Sequence, residues 1–123
     1  MEWKFNDETP IYLQIMEHIK TQIAAGELKA NDKLPSVREL ALEAGVNPNT
    51  MQKALSELER EGFVYSQRTA GRFVADTDKS ATQLKEALAG QHMEQYLINM
   101  GKIGYTKRQA VEVLSEYVED NQA

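Results

Sequence analysis

Residues 34–53 read Leu-Pro-Ser-Val-Arg-Glu-Leu-Ala-Leu-Glu-Ala-Gly-Val-Asn-Pro-Asn-Thr-Met-Gln-Lys, and this stretch contains two helix starts separated by a tight turn. Ser36-Val37-Arg38-Glu39 is a capping box: the serine oxygen accepts from the third backbone N–H, and the glutamate reaches back to the serine N–H. A helix is therefore predicted over 37–44, stopped by Gly45. Asn47 is a good N-cap, and Pro48 suits the first helical position, where its missing N–H costs nothing. So few residues between two helices force a steep crossing, the signature of a helix-turn-helix.

Working outward, the second of these helices is predicted over 48–61, with Met51, Ala54, Leu55 and Leu58 inward and Asn49, Gln52, Lys53, Ser56 and Arg60 outward. Gly62 stops it. Phe63–Ser66 and Arg72–Ala75 are β-prone runs around a turn ending in Gly71, which reads as a hairpin. Upstream, Pro10 opens a helix over 11–25 with an inward stripe of Tyr12, Ile15, Met16, Ile19 and Ile23, and Gly26 closes it. Trp3 and Phe5, two apart, are placed on one surface ahead of that helix. Three helices and a hairpin make a winged helix.

Asp76–Ser80 is a polar break, expected to divide a winged domain at 1–75 from a tail at 76–123. The tail shows Leu84, Leu88, Met93, Leu97 and Met100 at helical spacing over 81–100, with Gly90 a possible kink. A loop at Gly101 to Gly104 follows, then a second capping box, Thr106 with Gln109, opening a helix to about Val118. The fold class expected is mainly α with a small β-hairpin, a winged helix-turn-helix followed by a short two-helix C-terminal dimerisation tail. The apolar stripe of the last helix is too wide for one partner, so Leu97, Met100, Val111, Leu114, Tyr117 and Val118 are read as a two-fold dimer seam.

Composition narrows the function. The 123 residues make one small domain plus an appendage and exclude large catalytic machinery. A net charge of −5 argues against coating nucleic acid by bulk charge, so binding to DNA has to use a local basic patch. With no cysteine there is no disulfide, thiolate nucleophile or cysteine-ligated metal. His18 and His92 lack partners at metal-ligand spacing, Gly101–Gly104 lacks the strand of a phosphate loop, and Met93 and Met100 fit a core or seam rather than a cofactor box. No cofactor, metal or enzymatic activity is expected. No apolar run reaches membrane-spanning length and the N-terminus has no signal-peptide pattern, which points to a soluble, cytoplasmic protein.

The chemistry concentrates around the helix-turn-helix. Asn49 and Gln52 are natural bidentate readers of adenine, Thr50 offers a hydroxyl or methyl, and Lys53 reaches guanine or a phosphate. Ser36 and Arg38 sit at a helix start, where free N–H groups favour a phosphate, and Arg68 and Arg72 flank the wing glycine. A protein-docking winged helix is the rival reading. It predicts that Asn49 and Lys53 are silent toward DNA.

The segments Leu34–Ala41, Gly45–Met51, Ala54-Leu55, Leu58–Gly62 and Gly71–Val74 resemble the DNA-binding domain of the GntR family. Pro10–Ile15, the Asn-Pro-Asn-Thr turn and the brief tail are similar to the YtrA-like subfamily. The resemblance implies a homodimeric transcriptional regulator, commonly a repressor, bound to a palindromic operator in double-stranded DNA. It implies DNA contacts at Arg38, Asn47, Asn49, Thr50, Lys53 and Gly71. The chain departs from the family at Pro48 and Gln52, where arginine is frequent, and at Thr69, which replaces the first wing glycine. Only 48 residues follow Ala75, too few for the large effector domains of other members.

Overall fold

Ile15, Met16, Ile19 and Ile23 repeat at steps that share one side of a helix. All four are buried in α1 (Ile11–Ala24) of the computed structural model, which describes residues 2–76 and 78–121. Tyr12 is only half-buried and sits at the edge of the stripe. Ahead of α1, Trp3 stacks on Phe5 at 6.1 Å between ring centroids and on His18 at 4.1 Å. Burial there lowers the affinity of the His18 imidazole for a proton. The extended segment is clasped by Gln14, whose Oε1 accepts from the Asn6 N–H while its Nε2 donates to the Asn6 and Thr9 carbonyls.

The capping box forms as expected. Ser36 Oγ accepts from the Glu39 N–H and Glu39 Oε1 accepts from the Ser36 N–H, opening α2 (Val37–Ala44). Gly45 takes a left-handed φ of 71°, which lets the Val46 N–H reach back to the Ala41 carbonyl and ends the helix. Asn47 Oδ1 then accepts from the Asn49 N–H at 2.7 Å, and Pro48 begins α3 (Pro48–Arg60). Met51, Ala54, Leu55 and Leu58 on α3 are buried against α1 and α2, together with Leu34, Leu40 and Ala41.

The wing pairs β1 (Val64–Gln67) antiparallel with β2 (Gly71–Val74), in the register Val64 to Val74 and Tyr65 to Phe73. Val64 and Val74 close the core, while the Tyr65 and Phe73 rings stack at 5.5 Å. Residues 31–34 pair along the other edge of β2. The Asn31 N–H donates to Val74 O, the Val74 N–H to Asp32 O, and the Leu34 N–H to Arg72 O. The segment lacks alternating hydrophobics: Asn31 turns the chain at a φ of 68°, and pairing with β2 then holds residues 32–34 along the wing.

The chain falls into two compact units, residues 1–85 and 86–123. α4 (Asp78–Lys102) begins earlier than the expected residue 81, because no glycine or proline interrupts 78–89, and it carries Gly90 and Gly101 within the helix. The turn after it therefore begins two residues later than the predicted Gly101–Gly104 loop. Thr77, in the expected polar break, lies outside the described residues. Within 86–123, the Thr106–Gln109 capping box opens α5 (Lys107–Asp120). The Tyr96 hydroxyl donates to the Ala110 carbonyl at 2.7 Å, tying α5 to α4 over the buried Ala110. No helix among the described residues is long and apolar enough to cross a membrane.

Candidate DNA interface

α3 is amphipathic along its whole length, but its two ends differ in charge. At the C-terminal end, Glu57 pairs with Arg60, Glu59 with Arg72 at 3.4 Å, and Glu61 with Lys20 at 2.9 Å. The acidic groups are thus neutralised by the protein's own cations. At the N-terminal end, the side chains of Asn49, Thr50 and, at the start of α2, Arg38 have no hydrogen-bond or ion-pair partner among the described residues. Asn49 and Arg38 are exposed and Thr50 is half-buried. Lys53 is exposed with its ammonium 4.1 Å from the Tyr12 ring centroid. Gln52 Nε2 donates to Ser56 Oγ one turn along, which fixes that amide on the outer face. An unpaired polar surface on a helix of this diameter matches the chemistry of the major groove.

Other expected residues are drawn into the fold. The Ser36 and Asn47 oxygens cap their own helices, leaving the serine O–H and the asparagine amide N–H as the donors they offer outward. Arg72 lies back on Glu59 rather than at the wing's outer surface, and Glu59 also accepts from Ser66. Arg68 is exposed in the turn with Thr69 and Ala70. Gly71 opens β2 opposite Gln67, at the base of that turn rather than at its tip.

A cleft of about 570 Å³ separates the start of α2 from the wing, lined by Lys33, Leu34, Pro35, Ser36, Ala70 and Gly71 among others. It places the start of α2 beside Lys33 and Arg72, with the Glu39 carboxylate of the capping box also on its wall. Among the described residues no cluster of His, Asp and Glu could hold a metal ion.

The model of the gntR family of bacterial regulatory proteins matches residues 11–74, α1 through the end of β2. The chain belongs to the GntR family. YhcF of Bacillus subtilis, an uncharacterised HTH-type transcriptional regulator, is 39% identical over 97% of this chain and 98% of its own. The B. subtilis HTH-type transcriptional repressor YtrA is 36% identical over 91% and 84%. A GntR family transcriptional regulator from Listeria monocytogenes superposes with a TM-score of 0.81 at 38% identity, covering 91% of this chain and 98% of that one. AraR(DBD), solved in complex with operator ORX1, has a TM-score of 0.56 at 32% identity, over 61% of this chain and 96% of that one. The winged-helix fold is thus shared with GntR regulators, and the DNA-binding domain has homologues solved on operator DNA. These relatives are named as regulators of transcription, not as enzymes.

Within this GntR-family chain, Lys33 is the cleft residue that sequence reading missed. The signal available was Leu34 before Pro35, since a residue preceding proline is pushed to extended backbone. The wing backbone explains Gly71, and the flexible end of Lys33 adds only a yielding contact. A Cβ there would lie 3.3 Å from Lys33 Cε, on a backbone of φ +112°. Gly71→Ala is expected to cost about 1–3 kcal/mol of stability through that φ. Urea unfolding measures it, and an unchanged midpoint would contradict the assignment.

Proposed function

We propose that the chain is a homodimeric transcriptional repressor acting in the cytoplasm on an inverted-repeat operator. α3 enters the major groove, with Asn49, Thr50, Gln52 and Lys53 toward base edges. Ser36, Arg38, Asn47, Arg68 and Gly71 meet the backbone, and Arg72 braces the wing through Glu59. The carrying observation is the sorting of α3: the acidic groups at its C-terminal end are bonded to the protein's own cations, while the Asn49 and Thr50 side chains and the Lys53 ammonium have no hydrogen-bond or carboxylate partner among the described residues. The repressor named YtrA and the AraR domain on its operators support the same reading.

In this reading residues 1–75 hold DNA and residues 76–123 join subunits. Support comes from the second unit's unusual surface. Val111, Leu114, Tyr117 and Val118 are 62%, 44%, 63% and 56% exposed, while Leu97 and Met100 are half-buried beside them. Apolar groups at that density on a helical pair are characteristic of an interface. A dimer sets two recognition helices about 34 Å apart, one DNA turn.

Fluorescence anisotropy on an enriched duplex and on a scrambled one tests the assignment. Asn49→Ala is expected to lose roughly 1–3 kcal/mol per base contact on the operator and little on scrambled DNA. Arg38→Ala should weaken both and reduce the salt slope by about one. Equal loss on both duplexes for Asn49→Ala would defeat its role as a reader.

A further inference from the structure

We propose that Tyr12, on α1, is a positioning residue for DNA recognition: its ring pre-orders the Lys53 ammonium on the outer face of α3. This rests on the reading that α3 meets DNA. Lys53 Nζ lies 4.1 Å from the centroid of the Tyr12 ring, within the range of a cation–π contact. Tyr12 is half-buried on a helix packed against α3, so its ring is held in place by the core beneath it.

The contrast with neighbouring cations gives this contact its meaning. Lys20 also lies over a ring, Phe63 at 5.0 Å, but it is bonded to Glu61 at 2.9 Å. Arg60 and Arg72 are bonded to Glu57 and Glu59. Each of those cations would have to break a carboxylate bond to reach a phosphate. Lys53 has no carboxylate partner among the described residues. A ring attracts the ammonium without accepting from any of its three N–H groups in the way a carboxylate does. Tyr12 therefore restricts the long lysine stem before DNA arrives and leaves its donors available. Ordering that would otherwise oppose binding is completed during folding.

A double-mutant cycle on the full-length protein tests the proposal, using a duplex enriched from random DNA. Tyr12→Leu should weaken binding roughly 2- to 5-fold per recognition helix, hence about 4- to 25-fold for a two-fold complex. Tyr12→Phe keeps the ring and should bind as the wild type does. In a Lys53→Met background, Tyr12→Leu should add nothing further. A loss with Tyr12→Phe would assign a direct contact to the hydroxyl and overturn the proposal. An equal loss from Tyr12→Leu with and without Lys53, or tighter binding by Tyr12→Leu, would overturn it too. A readout independent of DNA is the NMR shift of the Lys53 ε-methylene protons in the free protein. The ring should move them upfield of the lysines that lie over no ring, and an ordinary position rejects the contact. Wild-type protein that enriches no sequence, while showing that upfield shift, would count against the DNA reading instead.

Discussion

Replacing Leu114 and Tyr117 together with aspartate is expected to convert the protein to monomers and to weaken operator binding by about 100-fold or more. In the proposed dimer, two recognition helices on one particle make the second half-site an intramolecular event, and its effective concentration is lost when the subunits part. Both side chains are largely in solvent, at 44% and 63% exposure, and with Tyr96, Met100 and Val113 they line an apolar groove of about 290 Å³. Their removal leaves the buried Ala110 and the capping box of α5 untouched, so far-UV circular dichroism should be unchanged. Sedimentation velocity reads the assembly state. A variant that still sediments as a dimer would move the interface elsewhere.

The second large effect concerns the core under the recognition helix. Leu55 is 1% exposed on α3, and truncating it leaves a cavity beneath the outward polar face. Leu55→Ala is expected to cost about 2–5 kcal/mol. For a unit of this size that lowers Tm by about 10–25 °C, read by thermal melting. Leu42, on α2 and 83% exposed, provides the comparison, and Leu42→Ala should stay within about 0.5 kcal/mol of wild type. Equal melting temperatures for the two variants would mean that the helix-turn-helix is not held by this core.

What was legible from the sequence follows a physical division. Capping boxes at Ser36 and Thr106, the glycine stop at Gly45 and the Asn47-Pro48 start are local, decided by residues three or four apart, and they formed where expected. The buried stripe of α3 was equally readable from its period. What escaped was non-local. Lys33 pairs with Phe73 because β2 lies beside it, forty residues on, and that pairing gives Lys33 its place in the cleft. Arg72 read as a free wing cation, whereas Glu59 holds it, and no spacing rule connects a wing residue to the far end of a helix. The Tyr12 ring beneath Lys53 is of the same kind, a contact between helices that only packing brings together. Gly101 reads as the start of a loop, yet the helix formers before it carry α4 through to Lys102.

Regulation through α3 requires that its outward polar face read a two-fold DNA sequence. Selection from random duplex DNA with the purified full-length protein, followed by sequencing of the enriched pool, tests this most directly. It should yield an inverted repeat whose half-site centres lie about 10 base pairs apart or a multiple of that. A folded, dimeric protein that enriches nothing at low salt, or that enriches an unrepeated site, would contradict it.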